Sequence, residues 1–226
     1  PFIRTTDLAR ATSLLAQEHP DLVLFGGDYV SESPRYIRGA AAVLGAFAGA
    51  TRYGGYAVLG NHDLGLVPEK IAAALERSGI TVLRNRAVQI QMTQGPLWIA
   101  GIDETLIGVP HPEMTIAQAP PGAAILALWH EAQFAEQAAN AGAFAQLSGH
   151  SHGGQIRLPF FGPLALPVDG DRHSFGLSFA HGMPVYTTRG VGVYRPPLRF
   201  NCPPEVTLIE LVAGSSSAAC ARGSVR

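Results

Sequence analysis

Two imidazoles one residue apart, His150 and His152, lie in Ser148-Gly149-His150-Ser151-His152-Gly153-Gly154-Gln155, directly after the apolar run Phe144-Ala145-Gln146-Leu147. Glycine before the first ring and two glycines after the second allow backbone angles that a side chain would forbid, so a strand ending here can curl around something small. Histidine is the commonest protein ligand for transition metals. A His-x-His pair alone is a short signal, and a surface loop that happens to carry two histidines explains it equally well. Three further apolar runs end in the same way. Leu22-Val23-Leu24-Phe25 stops at Gly26-Gly27-Asp28, Tyr56-Ala57-Val58-Leu59 at Gly60-Asn61-His62-Asp63, and Ile125-Leu126-Ala127-Leu128-Trp129 at His130. Short continuous apolar runs suit strands covered on both faces. In an α/β fold the carboxyl ends of such strands share one edge, where residues distant in sequence converge.

One histidine on an apolar strand is more often a satisfied core residue than a ligand, but that reading must then hold independently at several strand ends. A carboxylate, an amide oxygen and three imidazoles, with no thiolate, suit a divalent ion such as Mn, Fe or Zn. These are more ligands than one ion needs. Asp28 has two oxygens and could bridge two ions about 3.5 to 4 Å apart, the spacing at which a metal pair activates water and steadies both oxygens of an in-line phosphoryl displacement. The chemistry indicated is hydrolysis of a phosphate ester.

The elements that must position these groups alternate along the chain. Leu8, Ala11, Leu14 and Leu15 recur at helical spacing after Thr6 or Asp7, and His19-Pro20 ends that helix. An alanine-rich helix runs from Ser33-Pro34 to about Ala50, and another from Pro68 to Ser78 with Gly79 as its stop. Strands follow over Ile80–Leu83, Val88–Met92 and Leu97–Ile102, the last two joined by Gln94-Gly95-Pro96 as a hairpin. A helix over Glu131–Ala141 precedes the His-x-His strand, and beyond it short strands are expected at Ile156–Pro159, Val185–Thr188 and Val206–Leu211. One domain over residues 1–212 is predicted, with a low-complexity tail at 213–226 read as disordered.

Composition removes several classes. The apolar fraction of 47% against 15% charged residues argues for a packed core, and 16 basic against 17 acidic residues leave no electrostatic footprint for nucleic acid. Gly39–Ala50 and Gly122–Trp129 fall short of the roughly 20 apolar residues of a membrane span. Cys202 and Cys220 make neither a disulfide framework nor a Cys-type zinc site.

Gly27-Asp28, Gly60-Asn61-His62-Asp63, His130 and Gly149-His150-Ser151-His152-Gly153-Gly154-Gln155 resemble four of the five blocks of the calcineurin-like metallophosphoesterases. Arg189-Gly190-Val191-Gly192, Leu198-Arg199-Phe200 and Pro204-Glu205 resemble the bacterial branch that hydrolyses phosphodiesters and is often membrane- or wall-associated. The resemblance implies a four-layer α-β-β-α sandwich of two mixed sheets with a dinuclear centre at the strand ends. It assigns Asp28 as the bridge, Asn61, His130 and His150 to the second ion, and His152 to the first. His62 becomes proton donor or transition-state stabiliser, with Asp63 orienting its ring. The substrate class implied is a small-molecule or lipid-linked phosphate ester.

The family's opening Asp-x-His block has no counterpart before Asp28, since Asp7 is followed by Leu8-Ala9 within a helix. The chain is therefore expected to lack an N-terminal central strand, to be a fragment of a longer enzyme, and to hold at most one of the two ions tightly. Any segment for targeting or membrane association would precede Pro1, in a bacterial protein that is cytoplasmic, membrane-peripheral or exported. A metal-binding module without catalysis is the alternative function. His111, His173, His181 and Arg172 are expected at the surface and Trp129 in the core. Arg189 and Arg199 are candidates to meet a phosphate, Arg199 otherwise pairing with Glu205.

Overall fold

The computed structural model describes residues 2–166, 172–213 and 222–225. Helix α1 (Thr5–Ala16) opens where the Asp7 carboxylate accepts the Arg4 backbone N–H at 3.0 Å. Strand β1 (Val23–Phe25) is followed by α2 (Ile37–Gly49), β2 (Gly55–Ala57), a one-turn helix α3 (Asn61–Leu64), α4 (Pro68–Arg77) and β3 (Ile80–Val82). The three strands pair in parallel in the order β1-β2-β3. Parallel strands need long crossovers, which α2 and α4 supply.

The second sheet has six strands: β4 (Arg86–Met92), β5 (Gly95–Ile102), β6 (Ala124–Trp129), β7 (Ala145–Ser148), β10 (Gly176–Ala180) and β11 (Met183–Thr187). Their order is β10-β11-β7-β6-β5-β4. The two ends are antiparallel hairpins, whereas β5, β6, β7 and β11 run in parallel. Helices α5 (Pro112–Ile116) and α6 (Ala135–Ala141) cross between the parallel strands, α6 ending at left-handed Gly142. A short hairpin, β8 (Arg157–Leu158) with β9 (Gly162–Pro163), projects from the loop after β7.

Three apolar clusters reveal the layering. Ile37, Leu44, Leu59, Ile71, Leu75 and Ile80 fill the space between α2, α4 and the small sheet. Val58, Leu83, Ile99, Leu126 and Leu128 pack between the sheets. Ile102, Ile116, Trp129, Ala135, Ala138 and Val185 lie between the large sheet and α5 and α6. The arrangement is helix, sheet, sheet, helix, as expected; the small sheet is parallel throughout its described strands and only the large one is mixed. Trp129 is fully buried. Among the described residues β1 pairs with β2 alone, and its other edge lies along a cleft of about 2570 Å³ that runs between the sheets to Asp28, His130, His150 and His152.

Of the expected tail, residues 214–221 and 226 lie outside the described residues, whereas β13 (Arg222–Val225) pairs antiparallel with β12 (Thr207–Glu210). Helix α6 begins at Ala135 rather than Glu131. β2 stops at Ala57, two residues before its apolar run ends.

Candidate metal centre

The turn after β1 is built around glycine and a strained aspartate. Gly27 has φ 100° and Asp28 φ 58°, and a Cβ on Gly27 would overlap the Gly60 backbone and the His130 ring. A non-glycine residue held in the left-handed region costs free energy, so the surroundings must enforce it. Asp63 does so. Its buried carboxylate accepts the backbone N–H groups of Asp28 (2.8 Å), Tyr29 (3.0 Å), Val30 (3.3 Å) and Gly60 (3.0 Å), lacing the loop after β1 to the loop after β2. Burial and the Asp28 charge push the Asp63 carboxyl up to about 7, against the pull of those N–H groups.

The family resemblance gave Asp63 the role of orienting the His62 ring; the hydrogen bonds of its oxygens here are with backbone N–H groups of both loops. The His62 N–H donates to Asp28 Oδ1 at 3.0 Å, and its ring lies 5.0 Å from that of Tyr194, tilted by 36°.

The large sheet supplies the imidazoles. His130, at the end of β6, is buried, and its Nδ1 lies 2.6 Å from the Gly26 carbonyl oxygen. A carbonyl only accepts, so Nδ1 carries the proton and Nε2 is turned toward Asp28 Oδ2 (3.3 Å) and His150 Nδ1 (3.2 Å). One ligand atom from each of Asp28, His130 and His150 falls within 4.8 Å of the others. Burial opposes charge on all three. The Asp28 carboxyl is nevertheless held well below the usual carboxylate range by His130 and His62, and Asp28 holds the His130 ring up at about 10. His150, by contrast, is pushed down to about 4 by burial and by the neighbouring His130.

His150, His152 and Gln155 have φ of 64°, 51° and 48°, so the loop after β7 runs left-handed at three non-glycine positions. His152 is not one of the clustered trio. Burial and the Arg199 charge push its ring pKa down. His150 Nε2, His152 Nδ1 and Asn61 Oδ1 are all buried without a hydrogen-bond partner. Buried polar atoms are ordinarily paired, and three unpaired ones on neighbouring predicted ligands fit a group that would occupy the space between them. Nitrogen and oxygen donors of this kind suit a divalent ion, so the residues present fit the metal that the sequence implied.

Several supporting residues left no clear sequence signal. Glu131, beside His130, is buried with its carboxyl raised to about 8, first by burial and then by Glu104, which itself accepts N–H groups from Leu106, Ile107 and Gly108. Arg199 is half-buried and turned to backbone: it donates to the carbonyls of Arg189, Gly190, Gly192 and His152 and braces the loop that faces the metal residues. The partner of Glu205 is Arg189 rather than Arg199. His173 is buried, with Nδ1 2.7 Å from Ser178 Oγ, which corrects its expected surface position; His111 and His181 are exposed.

The sequence profile of the calcineurin-like phosphoesterases matches residues 3–154. The chain belongs to that family. Among relatives of this phosphoesterase, the Bacillus subtilis metallophosphoesterase YkuE is 31% identical over 212 residues, spanning 93% of this chain and 74% of that protein. The Escherichia coli phosphodiesterase YaeI is 34% identical over 215 residues, 93% of this chain and 77% of its own length. The Haemophilus influenzae NAD nucleotidase NadN shares the fold with a TM-score of 0.51 at 16% identity, over 82% of this phosphoesterase and 43% of that chain.

Proposed function

We propose that this phosphoesterase hydrolyses phosphate diesters at a centre in which Asp28, Asn61, His130 and His150 hold one divalent ion, Mn, Fe or Zn. The reading is carried by the convergence of Asp28, His130 and His150 ligand atoms within 4.8 Å, and it is supported by the phosphodiesterase among the relatives. When bound, such an ion supplies positive charge to the phosphoryl oxygens and lowers the pKa of water. Gly26, through its carbonyl, keeps the His130 Nε2 lone pair directed inward. Asp63 holds the strained Asp28 backbone in register with α3. His62, one residue from Asn61 and tied to Asp28 by its own N–H, delivers a proton to the departing ester oxygen from its ring, with the Tyr194 ring tilted beside it.

In a dinuclear centre Asp28 would bridge to a second ion whose remaining ligand here is His152; among the described residues no second cluster of three metal-binding side chains exists. That position holds its ion weakly, and turnover by this chain is correspondingly slow. Hydrolysis of bis(p-nitrophenyl) phosphate with added Mn tests the reading. Metal-dependent release of p-nitrophenolate that disappears in His130→Ala supports it, and a chain given an Asp-x-His strand along the open edge of β1 should turn over faster. Metal bound with no hydrolysis in either chain would favour a metal-binding module without catalysis.

A further inference from the structure

We propose that Tyr194 is a positioning residue for the reaction: its ring holds the His62 imidazole beside the metal residues, and the Gln155 side chain holds Tyr194. The inference rests on the reading of His62 as proton donor to the departing oxygen. The His62 backbone is fixed by its N–H bond to Asp28, and the Asp63 carboxylate bonds to backbone N–H groups. Among the described residues no hydrogen bond reaches a His62 ring nitrogen, so the tilted Tyr194 ring, 5.0 Å away between centroids, is the neighbour that can set its orientation. Aromatic pairs at this separation prefer particular geometries, and each ring limits the rotation of the other.

Tyr194 lies in a segment with neither helix nor strand to hold it. Gln155 takes that part. Its Oε1 accepts the Tyr194 N–H at 2.8 Å, and its Nε2 donates to the carbonyls of Tyr194 at 2.9 Å and Pro196 at 2.7 Å. A side-chain amide accepts and donates from one plane, which suits it to grip both polar groups of a single residue's backbone. Gln155 is itself anchored, its N–H donating to the His152 carbonyl at 3.1 Å and its carbonyl accepting the Phe200 N–H at 3.0 Å. It closes the loop that carries His150 and His152, at φ 48°, a left-handed position that a non-glycine residue keeps only where its surroundings enforce it. Arg195 donates to Glu32 in the loop after β1 at 2.7 Å, but that ion pair is exposed and adds little. The contacts therefore run from the imidazole loop of the large sheet, through Gln155 and Tyr194, to His62 beyond β2 of the small one. The Tyr194 ring is half-exposed and its hydroxyl makes no hydrogen bond among the described residues, so burial does not account for it. Proton transfer needs its donor within hydrogen-bond reach of the reacting oxygen, and a displacement of about 1 Å can cost about 10²-fold.

Mn-dependent hydrolysis of bis(p-nitrophenyl) phosphate by single and double variants tests the chain of contacts. Tyr194→Ser should lower kcat about tenfold or more, with KM, Mn content and thermal midpoint unchanged. Tyr194→Phe, which keeps the ring, should restore the wild-type kcat, and Gln155→Glu, which cannot donate to the two carbonyls, should fall with Tyr194→Ser. In a His62→Asn background Tyr194→Ser should cost nothing further, because the two act as one unit. A wild-type kcat in Tyr194→Ser, or a loss that persists in the His62→Asn background as a raised KM, overturns the proposal and leaves the diesterase reading standing; the second result would make Tyr194 a substrate contact. A wild-type chain without turnover, or one that His62→Asn leaves unchanged, removes the reading of His62 and the proposal with it.

Discussion

The two loops that bring Asp28 and His62 into place and the loop that carries His150 and His152 are built on opposite terms. In the first region every oxygen of Asp63 is engaged by backbone N–H groups, and the loops after β1 and β2 hold each other whatever occupies the cleft. In the second, His150 Nε2 and His152 Nδ1 are buried with no partner, on a backbone held left-handed at both residues. A satisfied carboxylate stabilises the fold, whereas unsatisfied imidazoles weaken it unless a ligand meets them. The difference separates residues that build the site from residues that await its occupant.

Substitutions should divide along that line. His62→Asn should lower kcat for the diester by about 10²- to 10⁴-fold, some 3 to 5 kcal/mol in the barrier, with metal content unchanged; equal loss of metal would place His62 among the ligands. Asp63→Ala leaves several backbone N–H groups unpaired and should cost about 3 kcal/mol or more in urea unfolding, with metal present or absent. His150→Ala should do the reverse. Unfolding of the metal-free chain should change by no more than about 1 kcal/mol, while the stabilisation given by Mn at a hundred times its Kd, about 2.7 kcal/mol, should vanish.

A pH gradient sharpens the contrast further. In chelator, the Asp28–His130 pair stabilises the fold with both groups charged. His130 is raised to about 10, so its contribution is complete below the unfolded value of about 6.5 and fades as pH climbs toward 10. Asp28 is lowered, so its contribution holds above about 3.9 and fades only in strong acid. Between pH 7 and 9, stability should therefore fall by up to about 1.4 kcal/mol per unit from His130, with Glu131, held up at about 8, and Asp63, at about 7, adding to the fall at the lower end, and Asp28→Asn should flatten the His130 part of the slope.

The candidate ligands of both regions were more legible in sequence than the groups that brace them. Strand ends at Asp28, His130 and His150 follow from buried apolar runs that stop at glycine and a polar side chain, a pattern local enough to read residue by residue. The resemblance gave Asp63 a role toward the His62 ring, whereas the hydrogen bonds that tie its carboxylate to backbone groups 33 to 35 residues away leave no mark on side-chain type. Arg199 and His173 misled although the partners are near in sequence, Gly192 seven residues before Arg199 and Ser178 five after His173, because a contact across an irregular loop follows from how the loop turns rather than from residue type. Strand β10 was missed although Gly176-Leu177-Ser178-Phe179-Ala180 alternates, because the surrounding glycines and prolines suggested loop.

Calorimetric titration of the chelator-stripped chain with Mn, repeated on His130→Ala and His150→Ala, bears most directly on the centre. One ion bound tightly per chain, and lost in both variants, is the expected result. Absence of binding in the wild type, or a stoichiometry and Kd that neither substitution alters, would contradict the assignment of Asp28, His130 and His150 as a metal site.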